Sequence, residues 1–232
     1  MPDFSSIKII LFSKIPLAGF AKTRLSKEVG DDKAMQIFKC LLRIHAGNYR
    51  SLKKKYPAIT FEVHLAFPDT MSYRKAKLTF KSAFPFKCEY FAQGTGGLKG
   101  RMLEAMQKSQ IADLTVLHGS DVAGLNYSHF LSSILQPELA CIAPSNDGGY
   151  GLISCPAGFL DNNLFPKPGS EDTLSQLVNH LQRHGIPSRV IAPIFDLDTL
   201  EDCLFYKNSA SHESKFNPNY ASNSALMDAI PS

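Results

Sequence analysis

Short apolar runs alternate along this chain with longer stretches in which large apolar residues return every third or fourth position. Ile9 to Phe12, within the stretch Ile7–Leu25, is rich in β-branched residues and bounded by polar ones, so it reads as a buried strand. Ile37, Phe38, Leu41, Ile44 and Leu52 then recur at helical spacing, predicting a helix from Asp31 or Asp32, either of which can cap it, to about Lys53. Phe61, Val63, Leu65 and Phe67 alternate with polar residues in a second strand that Pro68-Asp69 stops. The same reading gives a helix over Tyr73–Ala83, a strand over Phe86–Phe91 and a helical pattern over Met102–Gln107. It continues with a strand over Leu114–Leu117, a helix over Ser128–Leu135 and a strand over Leu139–Ala143. Pro156–Gly169 is loop-like. Asp172–His184 carries Leu174, Leu177, Val178 and Leu181 on one helical face and stops at Gly185. A last strand, Arg189–Ile194, leads to a short helix that Thr199 and Asp202 can cap.

Strands alternating with helices predict an α/β fold, a three-layer α/β/α sandwich around a mixed, mostly parallel sheet. Residues 1–206 are expected to form one domain. From Lys207 the chain turns polar and rich in Ser and Asn, so 207–232 reads as a disordered or loosely docked tail. The 232 residues, 44% hydrophobic and 20% charged, suit one larger domain with a sizeable core. A net charge of +4 is too mild to argue for nucleic acid. Five scattered cysteines with no CxxC pair fit reduced thiols better than disulfides or zinc. No run is long enough for a signal peptide or a membrane span, so the expected location is cytoplasmic.

Candidate chemistry sits where strands end. The first strand empties into a loop with Pro16, Gly19 and the cations Lys14, Lys22 and Arg24. A basic, glycine-punctuated loop at that place in an open α/β sheet suits an anionic ligand. It is neither a P-loop nor a GxGxxG fingerprint, and a solvated basic loop explains it equally well. A second strand–loop–helix unit holds Gly94, Gly96, Gly97 and Gly100, with Gln93 before them and Arg101 after. Its main-chain N–H groups can hold phosphate or ribose oxygens, although glycines also mark plain turns. Asp121 follows a buried strand, where a carboxylate suits Mg²⁺ but can equally cap a turn. Asp196 and Asp198 flank Leu197, so in an extended segment both carboxylates face the same way. Asp147-Gly148 lies between apolar runs, and a hairpin turn there competes with a catalytic role for Asp147. His64 has no companion at metal-binding spacing and reads as structural. The cations Lys53–Lys55 read as a solvated helix end.

Taken in order, KIPLAGFAKTRL, FAQGTGGLKGRM, GSD, PSNDGGYGLI and FDLDTLEDC resemble the motifs of bacterial glycosyltransferase-like proteins. These belong to the GT-A, nucleotide-diphospho-sugar transferase superfamily. They in turn resemble the guanylyltransferase of the coenzyme F420 pathway and the molybdenum-cofactor nucleotidyltransferases. The resemblance spans about Ile7 to Leu204. It implies that Lys14, Lys22 and Arg24 hold nucleotide phosphates and that Gly94 to Gly97 approach base and ribose. It also implies Asp121 as principal ligand and Asp198 as second ligand of a Mg²⁺ or Mn²⁺ ion. Three departures fall on loops. Ala123 stands where a proline is usual, Gly97 and Gly100 stand where acids are usual, and Lys167–Glu171 reads KPGSE in place of a Trp-Ser-Thr-like segment.

The resulting expectation is a metal-dependent transferase acting on a nucleotide or nucleotide-sugar donor, by glycosyl or nucleotidyl transfer. Arg24 and Asp147 are the candidate catalytic residues. Lys14, Gly19, Lys22, Arg24, Gln93, Gly94, Gly96, Gly97 and Arg101 are the candidate nucleotide contacts. The alternatives are a nucleotide-binding protein that has lost turnover, and an interaction protein using Lys53–Lys55 and the tail. The partner is a small molecule, without nucleic acid or a membrane span. Oligomeric state is not legible in the sequence.

Overall fold

A computed structural model describes residues 6–108, 112–161, 164–166, 174–213 and 224–231. Strand β1 (Ile7–Lys14) lies at the centre, and its neighbours β2 (Thr60–Ala66) and β4 (Leu114–Gly119) both run parallel to it. β3 (Glu89–Ala92) extends the sheet beyond β2. On the other side come β7 (Tyr150–Pro156), β6 (Ala140–Pro144) and β8 (Ser188–Val190). Among the described residues the order is β3-β2-β1-β4-β7-β6-β8. Four of the six pairings are parallel, and β7 runs against both of its neighbours. The mixed, mostly parallel sheet expected from the sequence is therefore present. The Asp147-Gly148 signal is the β6–β7 hairpin.

Side chains alternate along β1, so Ile9 and Leu11 enter one core and Ile10 the other. The first core is closed by α2 (Asp31–Lys55), α3 (Tyr73–Ala83) and α5 (Tyr127–Ile134) through Phe38, Tyr49, Phe80 and Phe130. The second is closed by α4 (Leu98–Gln107) and α6 (Leu174–Arg183) through Met102, Met106, Leu177 and Leu181. These helices give the three layers.

Several boundaries differ from the sequence pattern. The α4 helix begins at Leu98, four residues before its apolar periodicity starts, because Gly97 serves as its N-cap. The last strand stops at Val190, since the chain then leaves the sheet for a bridge at Ile194. The described parts of the segment expected to be a loosely docked tail are helical. The α7 helix (Leu200–Glu213) runs straight through Lys207, and α8 (Ser224–Ala229) packs against α2. Leu226, Ala229 and Ile230 are buried with Leu41 and Cys203, and Lys207 Nζ donates to Ile230 O at 2.9 Å. A few apolar residues in a polar segment suffice when they fall on one helical turn. The KPGSE segment and the start of the 172–184 helix lie outside the described residues.

The helix-end cations are partly taken up by their own chain. Lys53 Nζ donates to Pro57 O and Ile59 O, and Lys55 lies over the Tyr56 and Tyr127 rings. No helix of the described residues is long and apolar enough to cross a membrane. Leu226→Ala is expected to lower stability by about 2–5 kcal/mol, the usual cost of truncating a buried leucine. Chemical denaturation measures this, and a loss near zero would mean that α8 is not part of the folded unit.

Candidate active site

A cleft of about 490 Å³ opens at the carboxyl ends of β1 and β4. One device brings its acids together. Directly after β4 the chain makes a two-residue strand, β5 (Val122–Ala123), which pairs antiparallel with β9 (Phe195–Asp196). Leu197 N then donates to Asp121 O at 3.2 Å. This small ribbon carries Asp196 and Asp198 to Asp121, although seventy-odd residues separate them in sequence. Single carboxylate oxygens of the three lie within 4.8 Å of one another. Asp196 is the site residue that spacing alone did not promote to a ligand. Its signal was the alternation around Leu197, which is fully buried.

Lys22 lies beneath these acids. Its Nζ donates to Leu197 O at 2.9 Å and to Asp198 Oδ1 at 3.2 Å, with Asp196 Oδ1 at 3.8 Å and Asp121 Oδ2 at 3.9 Å. Burial works against its charge, but Asp121, Asp196 and Asp198 outweigh this and raise its pKa above the ordinary lysine value. Lys22 also takes a left-handed backbone (φ 52°, ψ 39°), the single positive φ of a non-glycine among the described residues. Strain at one residue, together with burial of a charge, marks a site. Burial and the neighbouring Asp121 push the Asp196 carboxyl up to about 8, against the pull of Lys22.

Asp121 is held by what precedes it. His118 Nδ1 donates to Gly119 O at 2.8 Å, so its Nε2 accepts from Tyr49 OH, also at 2.8 Å. His45 Nε2 donates to Ser120 O at 3.3 Å. Both imidazoles are buried and their rings lie 5.0 Å apart. Burial lowers the His45 pKa to about 4 and takes that of His118 well below its usual value. Two neutral rings thus hold the two carbonyls that lead into Asp121.

The remaining candidates separate clearly. Lys14 is exposed at the cleft, 5.8 Å from the Phe20 ring centroid, and the Arg24 side chain is 75% exposed, 3.7 Å from Asp198. Gly19 makes a turn (φ +73°) and does not line the cleft. The Gln93 amide donates to Ser13 O and His64 O, each at 3.1 Å, and accepts from Arg101 Nη1. It braces strand ends, while Arg101 packs over Phe12. A Cβ on Gly94 would meet the Glu104 carboxyl at 1.6 Å, so a larger residue there would have to displace that partly exposed side chain. Gly96 has φ +94°, and a Cβ on Gly97 or Gly100 would meet nothing within 4 Å. Asp147, the candidate base, lies in a turn. Its Oδ1 accepts from Ser145 Oγ and Gly149 N inside the β6–β7 turn, and it does not line the cleft. His64 is structural, paired with Glu62 at 2.9 Å.

Similarity to known proteins follows this geometry. Over 97% of this chain, and 98% of the other, the structure superposes at a TM-score of 0.75 and 24% identity on a protein of Desulfovibrio desulfuricans G20. That protein is provisionally named a nucleotide-diphospho-sugar transferase. This is the nucleotide-diphospho-sugar transferase fold. Two more distant structures share it. One is 4-diphosphocytidyl-2C-methyl-D-erythritol synthase of Anaerococcus prevotii (12% identity, 89% and 99% coverage, TM-score 0.56). The other is CMP:2-keto-3-deoxy-manno-octonic acid synthetase bound to CTP (14% identity, 90% and 100% coverage, TM-score 0.51). In sequence, residues 58–166 match a family described as "Uncharacterized protein conserved in bacteria (DUF2064)". No curated protein matches the chain.

The histidine pair has a pH consequence. An unfolded imidazole takes up a proton near 6.5, whereas folded His45 does so only near 4. Stability is therefore lost as pH falls through this window, by about 3 kcal/mol for a shift of that size. Equilibrium unfolding of His45→Gln should show a shallower acid decline than the native chain. Superimposable profiles would show that His45 is not held neutral.

Proposed function

We propose that the cleft binds a nucleoside triphosphate with Mg²⁺ or Mn²⁺ and transfers its nucleotidyl group to a phosphorylated acceptor. The carrying observation is the composition of the wall. Three carboxylates are gathered at the ends of β4 and β9, and two exposed cations stand on the same rim. Hard oxygen donors suit such a cation, and Asp196 Oδ1 is buried with no hydrogen bond of its own. The residues fit the ion. Asp121, Asp196 and Asp198 would hold it, and it would supply neutralisation of charge on the phosphate oxygens. Lys14 and Arg24 would bind the phosphates. The CTP complex and the diphosphocytidyl compound in the other synthase's name, both of this fold, support a triphosphate as donor class.

The choice of nucleotidyl over glycosyl transfer comes from what the wall lacks. Among the described residues no histidine, glutamate or cysteine lines the cleft. The acids that do line it are clustered, and Asp147 is engaged in its turn. A hydroxyl acceptor needs a base to take its proton. A phosphate oxygen is already anionic. Its attack forms a new bond to the α-phosphorus, breaks the bridge to the β-phosphate and releases pyrophosphate with no proton to move.

The second reading, nucleotide binding without turnover, is favoured by one observation. Gly97 and Gly100 leave open space where resembling proteins carry acids. Incubation with triphosphates, Mn²⁺ and sugar phosphates decides between the readings. Metal-dependent pyrophosphate release is expected. Release of a nucleoside diphosphate from a nucleotide sugar, supplied in place of the triphosphate in a parallel incubation, would instead mark glycosyl transfer, and binding with neither product would mark the second reading.

Arg24→Ala is expected to weaken triphosphate binding by about ten- to a hundredfold, the value of a charge-assisted bond worth roughly 1.5–3 kcal/mol. Its melting temperature should hardly move, because the side chain is 75% exposed. Unchanged affinity by calorimetry would place the phosphates elsewhere.

A further inference from the structure

We propose that Lys22 is the inner counter-ion of the cation site. It is a resident ammonium that gathers Asp121, Asp196 and Asp198 and sets their charge for a divalent rather than a trivalent ion. This rests on the reading of those acids as cation ligands.

The exposure gradient supports it. The Lys22 side chain is 2% exposed, against 25% for Asp196, 37% for Asp198 and 42% for Asp121. The ammonium therefore lies on the inner side of the cluster, and the carboxylates open outward to the cleft. An ammonium has three N–H donors. Here they face Leu197 O, Asp198 and the other two acids, so none is turned to a phosphate. The loop's other cations behave differently, since Lys14 and Arg24 are exposed. The left-handed backbone occurs at the one lysine of this loop that turns inward.

Charge then decides which ion fits. With Asp196 ionised, as ligation of a metal ion requires, the three carboxylates carry three negative charges, and Lys22 reduces the sum to two. A divalent ion makes the group neutral, whereas a trivalent ion leaves excess positive charge next to a buried ammonium. Repulsion from Lys22 grows in proportion to the charge of the ion. Removing that ammonium must therefore favour a trivalent ion more than a divalent one. A lysine that merely fills space would leave the preference unchanged.

The test is calorimetric titration of the full chain with Mn²⁺ and with La³⁺, for the native protein, Lys22→Met and the charge-keeping Lys22→Arg. Lys22→Met should melt lower without metal and regain stability on adding Mn²⁺. Its La³⁺-to-Mn²⁺ affinity ratio should rise on the order of tenfold, while that of Lys22→Arg stays near native. Should Lys22→Met not fold alone, Lys22→Gln takes its place, because an amide can still donate to Leu197 O. Rescue of either variant by Mn²⁺ supports the charge role, and failure of Mn²⁺ to rescue them overturns it in favour of packing. An unchanged ratio with both ions bound also overturns the role of Lys22 while leaving the cation site standing. Binding of neither ion by the native protein and its variants overturns the cation site itself.

Discussion

A buried ammonium surrounded by three acids is the constraint around which the functional end of this molecule is arranged. Lys22 follows the first strand and Leu197 the last, and a hydrogen bond of 2.9 Å joins them. Removing one partner from a buried ion pair commonly costs about 3–5 kcal/mol. The left-handed backbone at Lys22 costs roughly 1–2 kcal/mol, and that turn carries the ammonium inward beneath the acids. Ile15, Ala21 and Leu25, all buried, fix the loop on either side. The β5–β9 ribbon fixes the other half, because Val122 pairs with Asp196 and Leu197 N reaches Asp121 O.

The same solution recurs at other polar side chains buried in and against the sheet. Lys8 lies in the central strand with its Nζ on Met106 O and Lys108 O, the last carbonyls of α4. Those carbonyls form the negative pole of the helix, so the cation is satisfied there and ties β1 to α4. Burial nevertheless lowers its pKa, with Glu62 opposing. His45 and His118 do for the β4 turn what Lys8 does for α4. They bind the main-chain carbonyls of Ser120 and Gly119.

These arrangements mark the boundary of what a sequence displays. Strands and helices were legible because period two and period 3.6 are local, and α3 begins and ends at Tyr73 and Ala83 as its apolar spacing requires. The acids at strand ends were legible for the same reason, including the shared direction of Asp196 and Asp198. Partnership was not. Nothing local distinguishes Lys22 from Arg24, two residues apart in one basic loop, although one is buried beneath acids and the other exposed. Nor does spacing show that the Glu104 carboxyl lies against Gly94. The tail misled through its average composition. Leu226, Ala229 and Ile230 are too few to alter a polar mean, yet together they bury one face of α8.

The cleft itself is asymmetric, and on the proposed reading this orients a nucleotide. Its acids and exposed cations lie on the loop after β1 and on the β5–β9 ribbon, where phosphates belong. Phe12, Met102, Leu117, Tyr150 and Ile153 form an apolar part of the wall that continues into the core beneath α4 and α6. A flat ring gains most there, by burying its faces. The side chain best placed by sequence to read such a ring, Gln93, has both amide hydrogens committed to Ser13 O and His64 O. Its carbonyl oxygen already accepts from Arg101. On that reading Gln93, which opens the 93–97 loop, does not read the base. The Gln93 amide serves to keep that loop, and the ends of β1 and β2, in register.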